Sequence, residues 1–280
     1  MRNFSILLFL FVYMFCFSSY QTLEAQVQSL IGKDLALRQV DSTHLYINAQ
    51  QQYTDFSGIT NLNQSSAGVK LKRAQYTLIS NFQMAYNNTK SGWQSANEFY
   101  YTPKKKKTYQ YAALSFSNAA WYPSFTGAIS NYYIGVKQLE IENGVKYISL
   151  SDQKDIWMIN TGVSYALNKS LLLAKWIYLN NGISNNDFIL GYRYYFNEDS
   201  VIALNLLTGD NNVIPEFGNL PAATLKQYQK YYGFNFNTSF CIAKHTYLGV
   251  NYTYNHFNKN DKVDSWNLHM VSLGLTYKLF

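Results

Sequence analysis

Strict alternation of apolar and polar residues over long stretches is what most limits the folds open to this chain. From His245 to Asn255, Leu248, Val250, Tyr252 and Tyr254 fall on one side of an extended backbone. Tyr247, Gly249, Asn251, Thr253 and Asn255 fall on the other. The split recurs from Tyr231 to Ile242, where Tyr232, Phe234, Phe236, Phe240 and Ile242 oppose Gly233, Asn235, Asn237 and Ser239. It recurs again from Asp155 to Leu167 and along Phe188, Leu190, Tyr192, Tyr194 and Phe196. Successive side chains of a strand point to opposite faces, so each stretch reads as a strand with one apolar and one polar face.

The length of these stretches decides what kind of strand they are. They run for roughly ten to fifteen residues, whereas strands of soluble sandwiches average about five or six. A tilted strand needs about ten residues to cross a bilayer. Closing such strands into a barrel leaves no backbone group unpaired in lipid. Composition agrees: Tyr (26) and Phe (18) are abundant and charged residues make up only 14%, against roughly 25% in an average domain. No run of 18 apolar residues follows the first segment, so no spanning helix is expected. The expected class is all-β: a transmembrane antiparallel up-and-down barrel of the outer membrane. The alternative is a soluble secreted sandwich.

The start of the chain reads as an export signal. Arg2 supplies the positive charge, Ile6 to Phe17 the apolar stretch, and Leu23-Glu24-Ala25 a cleavage site ahead of Gln26. The expected organisation is therefore a signal peptide over 1–25, a short periplasmic segment over 26–42 and the barrel over 43–280. Loss of Cys16 with the signal leaves Cys241 alone, which removes internal disulfides and CxxC-type zinc sites.

Fourteen strands are expected at 43–55, 66–73, 75–86, 92–102, 107–117, 124–133, 138–150, 154–167, 170–180, 187–197, 200–208, 225–241, 245–256 and 264–280. Twelve is the alternative, since the first two show the weakest alternation. Short linkers such as Asn168-Lys169 and Ala243-Lys244 alternate with longer ones such as Thr54 to Ser65 and Gly209 to Thr224. Short periplasmic turns and longer external loops are the outer-membrane pattern. The chain stops on a strand: Val271, Leu273, Leu275, Tyr277 and Leu279 share the outward phase, with Lys278 and Phe280 on the other. Such an ending suits recognition by barrel-assembly machinery.

Several pieces beyond about Ser91 carry a resemblance. They are Gly92-Trp93-Gln94, then Lys107-Thr108-Tyr109 leading into Ala112-Ala113-Leu114-Ser115. Tyr122-Pro123, Gly144-Val145-Lys146-Tyr147-Ile148 and Tyr192-Arg193-Tyr194-Tyr195-Phe196 follow. In order and spacing this resembles the YaiO-like family of outer-membrane β-barrels, over about two-thirds of the chain. The resemblance implies an outer-membrane barrel with an envelope role. Some members carry periplasmic tetratricopeptide repeats, which implies a link to polysaccharide assembly. Here Val27 to Ser42 is too short for one such repeat.

No enzyme motif appears: GxSxG, HExxH, Walker and GxGxxG patterns are absent from the sequence. No catalytic residue, cofactor or metal is expected, and the separated histidines have no ligand spacing. His256 near an external rim is the one handle for a lipid-modifying enzyme, as a hydrolase or acyltransferase. Charged residues in the polar phase say more. Glu140, Glu142, Lys146, Lys175, Arg193 and Lys278 are expected to line the lumen, because a charge on the lipid face at mid-bilayer costs about 2–4 kcal/mol. There they bias a narrow polar pore, or pair across the interior and hold its shape. Tyr133, Tyr195 and Tyr231 are expected to crowd it. The formal charge is +7, but basic residues are scattered outside Lys104 to Lys107, so no nucleic-acid partner is expected. Lipid, small polar solutes and polysaccharide are the expected partners. The Gly209 to Thr224 loop is a candidate constriction.

Overall fold

The computed structural model describes residues 43–57, 60–87, 90–103, 107–119, 122–149, 155–180, 184–197, 200–210, 230–258 and 265–280. The expected signal peptide with its cleavage near Ala25, the 26–42 segment, Lys104 to Lys106 and most of the Gly209 to Thr224 loop lie outside them. Fourteen strands run in order: β1 (His44–Phe56), β2 (Thr60–Lys72), β3 (Tyr76–Tyr86), β4 (Ser91–Tyr101), β5 (Thr108–Ser117), β6 (Phe125–Val136) and β7 (Leu139–Ser149). They continue with β8 (Ile156–Leu167), β9 (Ser170–Asn180), β10 (Ser184–Asn197), β11 (Ser200–Gly209), β12 (Tyr231–Ala243), β13 (Thr246–Phe257) and β14 (Trp266–Lys278). Each strand pairs with its sequence neighbours, and β14 returns to β1 to close the ring. The pairing of β1 with β14 is antiparallel like the rest.

The alternation sorts cleanly across the wall. Ile129, Trp157 and Leu206 stand exposed on the outside while their chain neighbours Ser130, Met158 and Asn205 are buried inside. In water so large an apolar belt would drive association; in hydrocarbon it is the solvated face. Aromatic rings gather at both edges of the belt. Phe116, Phe125, Tyr147 and Trp157 form a chain of contacts near one end. Tyr194, Phe196 and Phe240 do so near the other. These are the two interfacial girdles of an outer-membrane barrel.

Turn chemistry fixes the orientation. Gln138, Asn168 and His245 adopt positive φ (66°, 52° and 67°) in two-residue turns at one end, the geometry that matches the twist of paired strands. Register shifts at Tyr133/Val136, Tyr195/Asn197 and Cys241/Ala243 lie at the same end. Longer connections, 118–124, 210–230 and 258–265, lie at the opposite end, which is the external one. Both chain ends of the barrel are then periplasmic.

Three expectations need correction. The Thr54 to Ser65 loop shrinks to 57–59, because Phe56 to Gln51 pair rung by rung with Thr60 to Ser65. Ladder hydrogen bonds satisfy the backbone whatever the local propensity, and Ser65 Oγ donates to Gln51 Oε1 at 2.7 Å. Strand β12, expected to end at 241, runs on to Ala243, because a register shift at Cys241/Ala243 lets the pairing with β13 continue to Thr246. Tyr133 points outward, 42% exposed, and Tyr132 takes the inner position. At the C-terminus, Leu45 N–H donates to the Phe280 carbonyl at 3.1 Å and Leu279 N–H to the Leu45 carbonyl at 2.8 Å. The closing seam therefore runs to the last residue.

Candidate functional site

Among the described residues, charged side chains gather in the interior away from both rims. Tyr109, Tyr132, Glu142, Gly162 and Lys175 occupy one continuous rung across β5, β6, β7, β8 and β9. Tyr109 and Tyr132 stack, with centroids 4.3 Å apart and planes at 5°. The Tyr132 hydroxyl faces the Glu142 carboxylate. Lys175 Nζ donates to Glu142 Oε1 at 2.9 Å, and Asn160 Nδ2 donates to the same oxygen. The ion pair spans two strand steps, with Gly162 between its partners on the rung. A Cβ there would already touch Glu142 Oε2 and Lys175 Cγ at 3.5 and 3.6 Å.

Further round the wall, the Tyr100 hydroxyl donates to Glu98 Oε2 at 2.7 Å, and the Tyr100 and Tyr111 rings lie 4.8 Å apart. Glu140 and Arg193 are buried, 3% and 1% exposed. Lys146 is half-buried in the same inward phase as Glu140 and Glu142. Lys278 sits at the periplasmic foot, apart from the rest. Its Nζ lies 5.6 Å from the Tyr46 ring centre, and Lys70 Nζ lies 5.0 Å from the same ring. These three share a rung of β14, β1 and β2. Cations over a tyrosine face are attracted by its quadrupole.

Uncharged amides cover the wall between. Gln52 Nε2 and Thr54 Oγ1 both donate to Gln64 Oε1 in a buried knot. Asn235 Nδ2 donates to Asn251 Oδ1 and Thr253 Oγ1, each at 2.7 Å. The structure thus brings together Glu142 and Lys175, buries Glu140 and Arg193 in the wall, and leaves Lys278 in a separate basic foot. Sequence reasoning missed Glu98, Tyr100, Tyr109, Tyr111 and Tyr132. Glu98 carries a usable signal, since it is acidic and stands one position before the apolar, outward Phe99. Tyr132 carries none, because its neighbour Tyr133 is the same residue type.

His256 belongs to the outer face. Its Nδ1 lies 2.7 Å from Asn267 Oδ1 and its ring 5.0 Å from Tyr232; no serine is among these partners. His269 makes a similar outer-face contact with the Tyr252 hydroxyl at 3.0 Å. Lys107 is exposed in its turn. Among the described residues no group of three His, Cys, Asp or Glu is placed to hold a metal.

Residues 44–211 match the family described as the YaiO membrane beta barrel domain. The chain belongs to that family. It is an outer-membrane β-barrel, and the YaiO match spans β1 to β11 with the Glu142–Lys175 rung inside it. No curated protein matches the chain. Solved structures share the fold at low identity. One described as the CymD monoaromatic hydrocarbon channel aligns with TM-score 0.52 and 8% identity, over 91% of this chain and 93% of that one. A bacterial polysaccharide outer membrane secretin aligns with TM-score 0.51 and 7% identity, over 86% and 99%. An anion-selective porin from Comamonas acidovorans aligns with TM-score 0.47 and 10% identity, over 85% and 99%.

Proposed function

We propose that this YaiO-type barrel is a narrow pore for small polar solutes, with Glu140, Glu142, Lys146, Lys175, Arg193 and Lys278 on its inner wall. The observation that carries this is the size of the ring together with its sorted faces. Fourteen strands approach the about 16–18 that enclose an aqueous channel, and the inward positions are rich in amides, tyrosines and paired charges. Mixed charges at close quarters bias which solutes enter a lumen. The test is passage of solutes in reconstituted vesicles: swelling in small polyols is expected, and vesicles that never swell would remove the reading.

A second reading, a part in polysaccharide export or assembly, is favoured by the amide-rich wall of β1, β2, β12 and β13. Side-chain amides match sugar hydroxyls as donor and acceptor at once. Loss of surface polysaccharide in a deletion strain, restored by the intact gene, is the expected result. An unchanged surface would count against it.

A further inference from the structure

The inner wall changes character toward the external mouth. On one side Phe56, Leu62, Phe257, Trp266, Leu268 and Met270 form a single buried cluster. Phe257 and Trp266 stack at 3.9 Å with planes 4° apart. Across the barrel Ile148, Ile156, Met158 and Leu179 form another. All are inward positions in the outer part of their strands: Phe56 ends β1, Ile156 begins β8 and Trp266 begins β14. Below them lie the amide wall and the charged rungs.

Tyr122 is driven into the first cluster from the β5–β6 connection and is 2% exposed. Its hydroxyl accepts hydrogen bonds from Gln64 Nε2 at 2.5 Å and Gln83 Nε2 at 2.8 Å, on β2 and β3. The root of the connection is pinned to β4. Trp93 N–H donates to Asn118 Oδ1 at 2.9 Å, and Asn118 N–H to the Trp93 carbonyl at 3.2 Å. Ala119 then packs on Gly92 so closely that a Cβ there would fall 2.3 Å from Ala119 Cβ. Glycine at 92 is what allows the connection to fold inward.

Water and hydrated ions are held poorly by an apolar constriction, which empties rather than strip an ion of its shell. We infer that these two apolar clusters, with Tyr122 latched into the first, act together as a collar that is the selectivity barrier of the barrel, rejecting hydrated ions while passing small uncharged solutes. The inference rests on the pore reading and names the class of solute.

The test uses the intact protein, reconstituted in one orientation, and its Tyr122→Ala and Leu268→Gln variants, each checked for the heat-dependent gel shift of a folded barrel. Wild type swells vesicles in erythritol yet conducts little in potassium chloride, and both variants raise conductance by about tenfold or more. Wild-type conductance equal to that of the variants overturns the collar while leaving the pore reading intact. A second measurement does not depend on flux. Asn48→Cys, in a Cys241→Ser background, lies on a rung with Gly68 and Thr276 below the collar. From the external side, neutral methyl methanethiosulfonate labels it about tenfold faster than the trimethylammonium-ethyl reagent, and Tyr122→Ala removes the difference. Equal wild-type rates for both reagents overturn the collar. Absence of swelling with a clear difference in labelling sinks the pore reading alone.

Discussion

At the scale of single residues, the interior turns on small differences in position. Lys175 Nζ reaches Glu142 Oε1 at 2.9 Å across Gly162, which stands between them on the rung. The pair has side-chain exposures of 15% and 6%, so removing one partner strands a mostly buried charge. Lys175→Met is expected to lower stability by about 1–3 kcal/mol, and Glu142→Gln added to it to recover most of that loss. Urea unfolding in lipid vesicles reads both; a double variant no better than the single would show that the pair is not coupled. The Tyr132 and Tyr133 neighbours make the same point from the sequence side. Identical side chains on opposite faces give no pattern to read, and the inner one is recognised only by its stack on Tyr109.

At the scale of elements, strand ends and turns carry the barrel's closure. The last two residues extend the β14–β1 seam through two backbone hydrogen bonds with Leu45. Deleting Leu279 and Phe280 is expected to leave assembled strands but slow insertion. The check is the fraction of folded, gel-shifted protein in the outer-membrane fraction, with an undiminished fraction counting against a role for the ending. Asn168 holds φ at 52° in the β8–β9 turn, a conformation costly for a β-branched residue. Asn168→Val is expected to cost about 1–2 kcal/mol in the same urea assay, whereas Asn168→Gly is near neutral. Both the closing strand and this turn were legible in the sequence, as an alternating ending and a short linker. The early start of β2 was not, since Asn61, Asn63 and Ser65 read as loop composition until their pairing with β1 is seen.

For the whole molecule, what matters is which side of the wall a residue faces. Leu204 is 41% exposed to the outside and Asn205 is 7% exposed within, though they are chain neighbours on β11. Leu204→Lys is expected to cost about 2–4 kcal/mol, the figure for a charge at mid-bilayer, and Asn205→Lys much less. Refolding into vesicles followed by urea titration compares them, and equal losses would contradict the assigned faces. The apolar collar belongs to this scale too, because it is assembled from the ends of strands far apart in sequence. No single strand announces it: Phe56, Leu268 and Ile156 each look like ordinary members of an alternating stretch.

The sequence by itself determined the class and the inward phase of most charged positions, and it narrowed the strands to fourteen or twelve. Period two is a local property of an extended backbone, and the bilayer punishes any strand whose phase is wrong. It determined too that β14 would be the closing strand. Only the tertiary structure decided which inward residues meet. Contacts such as Glu142 with Lys175, or Tyr122 with Gln64 and Gln83, depend on register between strands and on an inward-folded connection. Register is set by pairing around a closed ring, where a shift of one residue exchanges the two faces. That closure is a property of all fourteen strands together.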